Sequence, residues 1–260
     1  AEHRREHDPM GAAALYAEAI TALLDAGLTA RAAELVLARA TLLARPERAV
    51  ELERAVTLAG ATMPAVTRTA ARALLAEAPS LAAATRWIDA LLAIQPSAPE
   101  RAALLGERAR RALAEAGADL VAAAADASAA AAAAAGTPAA ADHLGIAVAI
   151  ERQRGDARAL AQALDALIAA RGASAPAVLL IEAAEAHLAA EAAGRALVLA
   201  QAALARLGST AEADDELNER GLRALGEAAW RQRAFGEVAR AYAALLVQPG
   251  GAGEIGRAHV

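Results

Sequence analysis

The apolar positions of this chain recur at helical spacing, and short polar, Gly or Pro clusters interrupt them at regular distances. Nowhere does a run alternate between apolar and polar residues, as a half-buried strand would. The interruptions therefore divide the chain into helical segments of roughly 14 to 22 residues. We predict helices over residues 9–26, 29–44, 46–60, 63–78, 80–95, 97–116, 118–135, 138–154, 156–171, 175–193, 195–208, 211–233 and 235–247. The predicted fold class is all-α.

Proline, glycine and short polar residues mark the ends of these segments. Five prolines lie in a first turn or just before it, where a missing N–H costs no hydrogen bond: Pro46, Pro64, Pro99, Pro138 and Pro176. Six glycines follow segments, as left-handed C-caps would: Gly60, Gly117, Gly136, Gly155, Gly172 and Gly194. Asp156 and Thr210 are predicted N-caps.

The turns inside successive helix pairs fall at a nearly constant period. They lie near Pro79, Gly117, Gly155, Gly194 and Phe235, at successive intervals of 38, 38, 39 and 41 residues. Two short words also recur at multiples of that period. ALLAIQP and ALLVQP end 153 residues apart, and LGE occurs at 105–107 and again at 225–227. The chain is therefore predicted to be a repeat array.

The last repeat resembles the tetratricopeptide pattern of a bulky residue, L-G, an aromatic residue or Ala, A-x3-F and a closing Pro. The corresponding residues are Leu222, Leu225, Gly226, Ala229, Val238, Tyr242, Leu245 and Pro249. Two of them depart from the pattern, since Val238 replaces the usual small residue and Pro249 comes one residue early. The resemblance implies a right-handed α-solenoid of antiparallel helix pairs, about 13 helices in all, whose first helices line a concave groove. HEAT-like arrays of similar period are the alternative.

The resemblance covers residues 63–249 and divides the chain into three predicted parts. Residues 1–62 form N-terminal helical hairpins or divergent repeats, and residues 250–260 form a disordered tail. The last seven residues, EIGRAHV, are similar to a translated sequencing adapter, so we expect the natural sequence to differ after about Gly253.

Composition raises a structural question at one stretch of the chain, VAAAADASAAAAAAAG over residues 121–136. Hydrophobic residues make up 57% of the chain and aromatic residues only 2%, so the apolar material is Ala, Leu and Val. Asp126 and Ser128 interrupt the stretch, and Ala adds little transfer energy, which excludes a membrane span. A flexible linker would be rich in Gly and Ser. We therefore predict a packed helix, the second of its pair.

The charged and reactive residues narrow the possible functions. The net charge of −5 argues against a nucleic-acid binder, and the lack of Cys excludes disulfides and thiolate metal sites. The sequence contains neither a phosphate-binding glycine motif nor a G-x-S-x-G motif. The N-terminal stretch AEHRREHDPMG has no apolar core, which favours a cytoplasmic location. We expect no enzyme, no cofactor and no membrane partner.

The histidines and the densest acidic run are interpreted as surface features. His3 and His7 share the i, i+4 spacing of a helical metal pair but have no third ligand nearby. His187 lies one turn before Glu191, and His143 is interpreted as a capping or surface residue. The run EADDELNERG at 212–221 opens a helix, where the helix dipole favours acidic side chains.

One helix, 97–116, is locally basic and supplies the candidate binding residues. Arg101, Arg108 and Arg111, at spacings of seven and three, are predicted to share one face directed into the groove and to bind an acidic peptide. The alternative is that these arginines and Arg110 pair with Glu100, Glu107 and Glu115 on a solvated face. The predicted function is a protein-binding or peptide-binding scaffold. The alternative function is the helical sensor arm of a bacterial transcriptional regulator or signalling ATPase whose effector domain lies outside this sequence.

Overall fold

The described part of the chain is entirely helical. A computed structural model describes residues 8–208 and 215–247, and within these residues it contains thirteen α-helices and no strand. The helices are α1 (Pro9–Asp25), α2 (Thr29–Ala40), α3 (Arg45–Ala59), α4 (Pro64–Glu77), α5 (Leu81–Ala93), α6 (Ala98–Ala114), α7 (Leu120–Ala133), α8 (Pro138–Arg154), α9 (Ala157–Arg171), α10 (Ala177–Ala189), α11 (Ala193–Leu207), α12 (Asp215–Arg231) and α13 (Phe235–Val247).

The helix ends follow the local signals with one exception. Five of the six predicted cap glycines have positive φ, between 48° at Gly60 and 79° at Gly117. Asp156 caps α9 by accepting a hydrogen bond from the Ala159 N–H at 3.0 Å. The prediction for Gly194 is wrong, because α10 ends at Ala189 and Gly194 lies inside α11. Glu191 takes the left-handed conformation there, with φ 61°.

The chain divides into two compact units, and the first holds α1 to α6. It comprises the described residues up to Asp119 together with Ala132–Ala134. Each helix from α1 to α6 contacts the next. Arg48 at the start of α3 pairs with Glu77 at the end of α4, so these two neighbours run antiparallel. One apolar cluster extends from Tyr16 in α1 to Leu104 in α6, and the boundary predicted at residue 62 falls inside it.

The second unit holds α8 to α13 and most of α7. It comprises Leu120–Ala131 and the described residues from Ala135 onward. Each helix from α8 to α13 contacts the next, and α10 also contacts α12. The core is formed by Leu164 in α9, Ile181 in α10 and the alanines that pack around them. Because the small side chains let helices approach closely, α10 is buried along most of its length.

Within each unit, alternate helices also meet, which sorts the helices into rows. We call α2, α4 and α6 of the first unit and α8, α10 and α12 of the second unit the even rows. Arg72 of α4 bonds Glu100 of α6, and Arg220 of α12 bonds Glu185 of α10. Outside the even rows, Arg195 of α11 bonds Asp165 of α9, and Arg86 of α5 bonds Glu53 of α3. Contacts to the next helix and the next but one are consistent with a helical repeat array.

The alanine stretch forms helix α7, as predicted. Its buried residues are Ala123, Ala124, Ala127, Ala130 and Ala131, which recur at three- and four-residue spacing along one side of the helix. Among the described residues, none of the helices combines the length and the apolar character needed to cross a membrane. The predicted tail, the adapter-like segment, Thr210, His3 and His7 lie outside the described residues.

Candidate binding surface

Arg111, the last of the three candidate arginines, is a packing residue that fastens α6 to the end of α4. Its Nη1 donates to the Ala78 carbonyl at 3.1 Å, and its Nη2 lies 3.4 Å from the Leu75 carbonyl. Its Nε donates to Glu107 at 2.7 Å, which holds the guanidinium in place. A cation at a helix C-terminus satisfies carbonyls that have no partner within the helix. Arg111 is therefore half-buried between two helices.

Arg108 and Arg101 lie in different surroundings from Arg111. Arg108 bonds Asp89 of α5 at 2.6 Å, so it faces the neighbouring helix of the other row. Arg101 is exposed in the first turn of α6. The spacing of seven and three does place the three residues on one side of the helix. Arg108 and Arg111 are engaged by neighbouring elements, whereas Arg101 is exposed, so the binding of an acidic peptide by all three stays a prediction.

The same fastening occurs in α12, 120 residues later. The Arg231 Nη1 donates to the Leu188 carbonyl at the end of α10 at 2.9 Å, and its Nε donates to Glu227 at 2.7 Å. Arg111 and Arg231 each lie four residues after the Glu of an LGE word. We call this arrangement the Glu–Arg clamp. The repeated word in the sequence therefore marks a repeated contact between alternate helices.

Helices α4 and α6 carry three exposed arginines, Arg72, Arg101 and Arg110, and the half-buried Arg68. The Arg72 Nη2 donates to Glu100 Oε1 at 2.5 Å, and the Arg68 Nε lies 3.3 Å from the same oxygen. Arg110 donates to Glu107 at 2.7 Å. The alternative interpretation, that these arginines pair with glutamates, is correct for Arg110 and Arg111. Glu115 instead accepts from the backbone N–H of Leu81 at 2.8 Å. We call Arg68, Arg72, Arg110, Glu100 and Glu107 the α4–α6 basic surface.

The even row of the second unit carries paired charges of a different arrangement. Arg152 of α8 binds Glu182 of α10 through two hydrogen bonds, one of them 2.6 Å long. Arg220 binds Glu185 in the same bidentate way, at 3.1 and 2.7 Å. The hydrogen bonds that both guanidinium groups donate to these glutamates raise the pKa of Arg152 and Arg220, and burial opposes the shift. Both pairs therefore stay charged wherever their glutamates are ionised.

Two histidines are buried, against expectation. His187 lies across from Asp165 with an Nε2–Oδ2 distance of 3.0 Å, and Arg195 donates to the other oxygen of the same carboxylate at 2.8 Å. His143 is 7% exposed, so its interpretation as a capping or surface residue is wrong. Asp215 and Glu216 occupy the first turn of α12. Within residues 8–208 and 215–247, no three His, Asp or Glu side chains lie together as a metal site would require.

The candidate surface residues that the sequence did not reveal are Arg68 and Arg72. They are separated from Glu100 by 32 and 28 residues, and only the row arrangement of the helices brings them to it. One signal in the sequence does indicate this contact. The period of about 38 residues between successive helix pairs makes α4 and α6 equivalent helices of neighbouring pairs, and such helices lie side by side. For comparison with known proteins, no family model matches this sequence, and no curated protein matches it at a significant level.

Proposed function

We propose that this chain is a protein-binding module built of helical repeats that resemble tetratricopeptide repeats. Its even rows present the surface on which a protein or peptide partner lies. The observation that carries this proposal is the alternate-helix contact, made by Arg72 with Glu100 and by Arg220 with Glu185. Such contacts align equivalent helices side by side, and a row of aligned helices offers a continuous surface to an extended partner.

The composition of the even rows also supports this proposal. Their exposed positions carry arginine and glutamate side chains that already form charge-assisted hydrogen bonds with precise geometry. Arginine in particular is enriched at binding hot spots. Val178 adds an apolar position to the exposed side of α10.

Photo-crosslinking with library-selected peptides tests the proposal. Peptides selected from a random library against the whole chain are crosslinked from photoreactive residues placed at Ala103 or Val178, which are exposed positions of the even rows. Val50 in α3 and Val198 in α11 are matched controls, because both are exposed valines outside the even rows. We expect crosslinks from the first two positions and not from the controls. Crosslinks from the control positions alone, or a library that yields no binder, would contradict the proposal.

A further inference from the structure

Helices α4 and α6 concentrate positive charge in a chain whose net charge is −5. Together they carry six arginines and three glutamates, all within the described residues. The arginines are Arg68, Arg72, Arg101, Arg108, Arg110 and Arg111, and the glutamates are Glu77, Glu100 and Glu107. An excess of one sign on two adjacent helices attracts partners of the opposite sign.

The glutamates of these helices do not neutralise this excess. Glu77 is engaged by Arg48 of α3. Glu100 serves both Arg68 and Arg72, and Glu107 serves both Arg110 and Arg111. Each of these two carboxylates therefore faces two guanidinium groups. A second carboxylate arriving from outside would complete the pairing at each position.

The guanidinium groups that remain are accessible. The Arg72 side chain is 58% exposed and the Arg110 side chain 55%. A guanidinium has five N–H donors, and Arg72 donates one of them to Glu100 while Arg110 donates one to Glu107. The other donors can form the bidentate pairs with a carboxylate that arginine favours.

The two accessible positions have a definite spacing. Glu100 and Glu107 are seven residues apart on one helix, which corresponds to about 10 Å along its axis at 1.5 Å per residue. In a polyproline-II segment, residues i and i+3 lie on one side and about 9 Å apart. An extended peptide with two acidic residues at i and i+3 therefore fits both positions at once.

We propose that the α4–α6 basic surface binds an extended protein segment with aspartate or glutamate side chains at positions i and i+3. This inference rests on the proposed function and names the partner of one even row. The groups that bind are carboxylates, because the surface offers pairs of planar guanidinium groups, and each pair already binds a carboxylate of this chain. A protein segment is favoured over a nucleic acid because the chain as a whole is acidic.

Fluorescence anisotropy with a labelled peptide tests the inference. The probe contains two glutamates at i and i+3 in a Pro- and Gly-rich segment, and its controls carry glutamines or place the glutamates at i and i+1. The full chain is compared with the variant R72Q/R110Q and with R86Q. Arg86 is the matched control, because it is 59% exposed and pairs with Glu53 in the same unit but outside the even row.

We expect the probe to bind with an affinity that falls as salt rises, since exposed charges are screened within about 8 to 10 Å at physiological salt. R72Q/R110Q should weaken binding by about tenfold or more, because each lost guanidinium removes a charge-assisted pair. R86Q and the glutamine peptide test whether binding depends on this surface or on charge in general. R86Q should leave the affinity unchanged, and the glutamine peptide should not bind.

Three results would overturn the inference: equal binding of the glutamine peptide, equal loss in R86Q, or tighter binding of a single-stranded oligonucleotide of the same charge. Circular dichroism confirms that each variant remains helical. If the acidic probe does not bind but library peptides still crosslink at Ala103 and Val178, the inference fails while the proposed function stands.

Discussion

Helices α6 and α12 carry the same clamp, but the even-row helices around the two clamps differ in the sign of their charge. Arg111 and Arg231 each bond a glutamate one turn earlier and a carbonyl at the end of the preceding even-row helix. Around the first clamp, α4 and α6 hold six arginines and three glutamates. Around the second, α10 and α12 hold six acidic residues and three arginines.

The clamp and the charge of the surface around it depend on the sequence in different ways. The clamp needs a glutamate, an arginine four residues later and a carbonyl at the end of the preceding even-row helix, so its sequence pattern recurs with the repeat. The sign of the surrounding surface has no such requirement, because exposed pairs contribute only about 0 to 1 kcal/mol to folding. The packing of a repeat can thus stay constant while its surface charge reverses. We therefore expect binding specificity to depend on the exposed charges and not on the clamp.

Each clamp lies in a unit with its own apolar cluster, and truncation of one core side chain in each unit tests whether the two cores are independent. Ile88 in α5 and Ile181 in α10 are both fully buried. Replacing either by Ala should lower the free energy of unfolding of its own unit by about 2 to 5 kcal/mol. Hydrogen exchange read by mass spectrometry should locate the loss of protection in the substituted unit. An equal loss in both units for both variants would show a single cooperative core.

The clamps themselves should differ in strength. Arg111→Ala removes the guanidinium donors to the Ala78 and Leu75 carbonyls, and the side chain is 28% exposed, so we expect a loss of about 1 to 2 kcal/mol. Arg231 reaches one carbonyl and is 42% exposed, so Arg231→Ala should cost about 0.5 kcal/mol. Urea midpoints measure both variants. Arg110→Ala is the control, since Arg110 pairs only with Glu107, and a cost equal to that of Arg111→Ala would mean that the carbonyl contacts contribute nothing.

The N-caps of α9 and α5, two helices outside the even rows, should also differ in strength. Asp156 is the N-cap of α9, and its replacement by Ala should cost about 1 kcal/mol. Ser80 caps α5 over a longer distance, 3.3 Å, and Glu115 also accepts from the first N–H of that helix. Ser80→Ala should therefore cost about half as much. Thermal melts of both variants measure the ratio, and a larger loss for Ser80→Ala would show that Glu115 does not share the capping.

A glycine in α8 gives the smallest expected effect. Leu144 and Gly145 repeat the L-G of the clamp helices without the glutamate that follows it there. A Cβ at Gly145 would meet no atom within 4 Å, so Gly145→Ala should raise the free energy of unfolding by about 0.5 kcal/mol. Gly221→Ala in α12 should gain less, because its Cβ would lie 3.0 Å from Leu204. Differential scanning calorimetry of both variants tests this order, and an equal gain in both would show that Leu204 moves aside freely.

Local signals were sufficient to predict the helices, whereas the site depends on distant contacts. Pro64 and Gly155 set a helix start and a helix end through their own backbone preferences, and both ends lie where predicted. Glu191 could not be predicted as a left-handed residue, because nothing in a glutamate favours positive φ. Its conformation comes from the turn that joins α10 to α11, in which the Ala192 N–H bonds the His187 carbonyl.

The arginines show the same limit. The helical spacing of Arg101, Arg108 and Arg111 was correct, but the spacing does not say which side of α6 faces water. For His143 a usable signal existed: Ala140, Ala147 and Ile150 recur with it at three- and four-residue intervals, and all are buried. Periodicity was the better guide there, because a side chain's exposure follows its helix face and not its neighbour in the chain.

Helix α7 has a consequence for the state of the chain before it folds. Fourteen residues, ten of them Ala, give it the highest intrinsic helicity per residue of any segment described. Ala also loses no side-chain rotamer freedom when the helix forms. We therefore expect α7 to keep residual helix in the denatured ensemble while the neighbouring helices α6 and α8 lose theirs. Part of its structure then belongs to the reference state from which stability is measured, and substitutions in α7 act on that state as well as on the folded one.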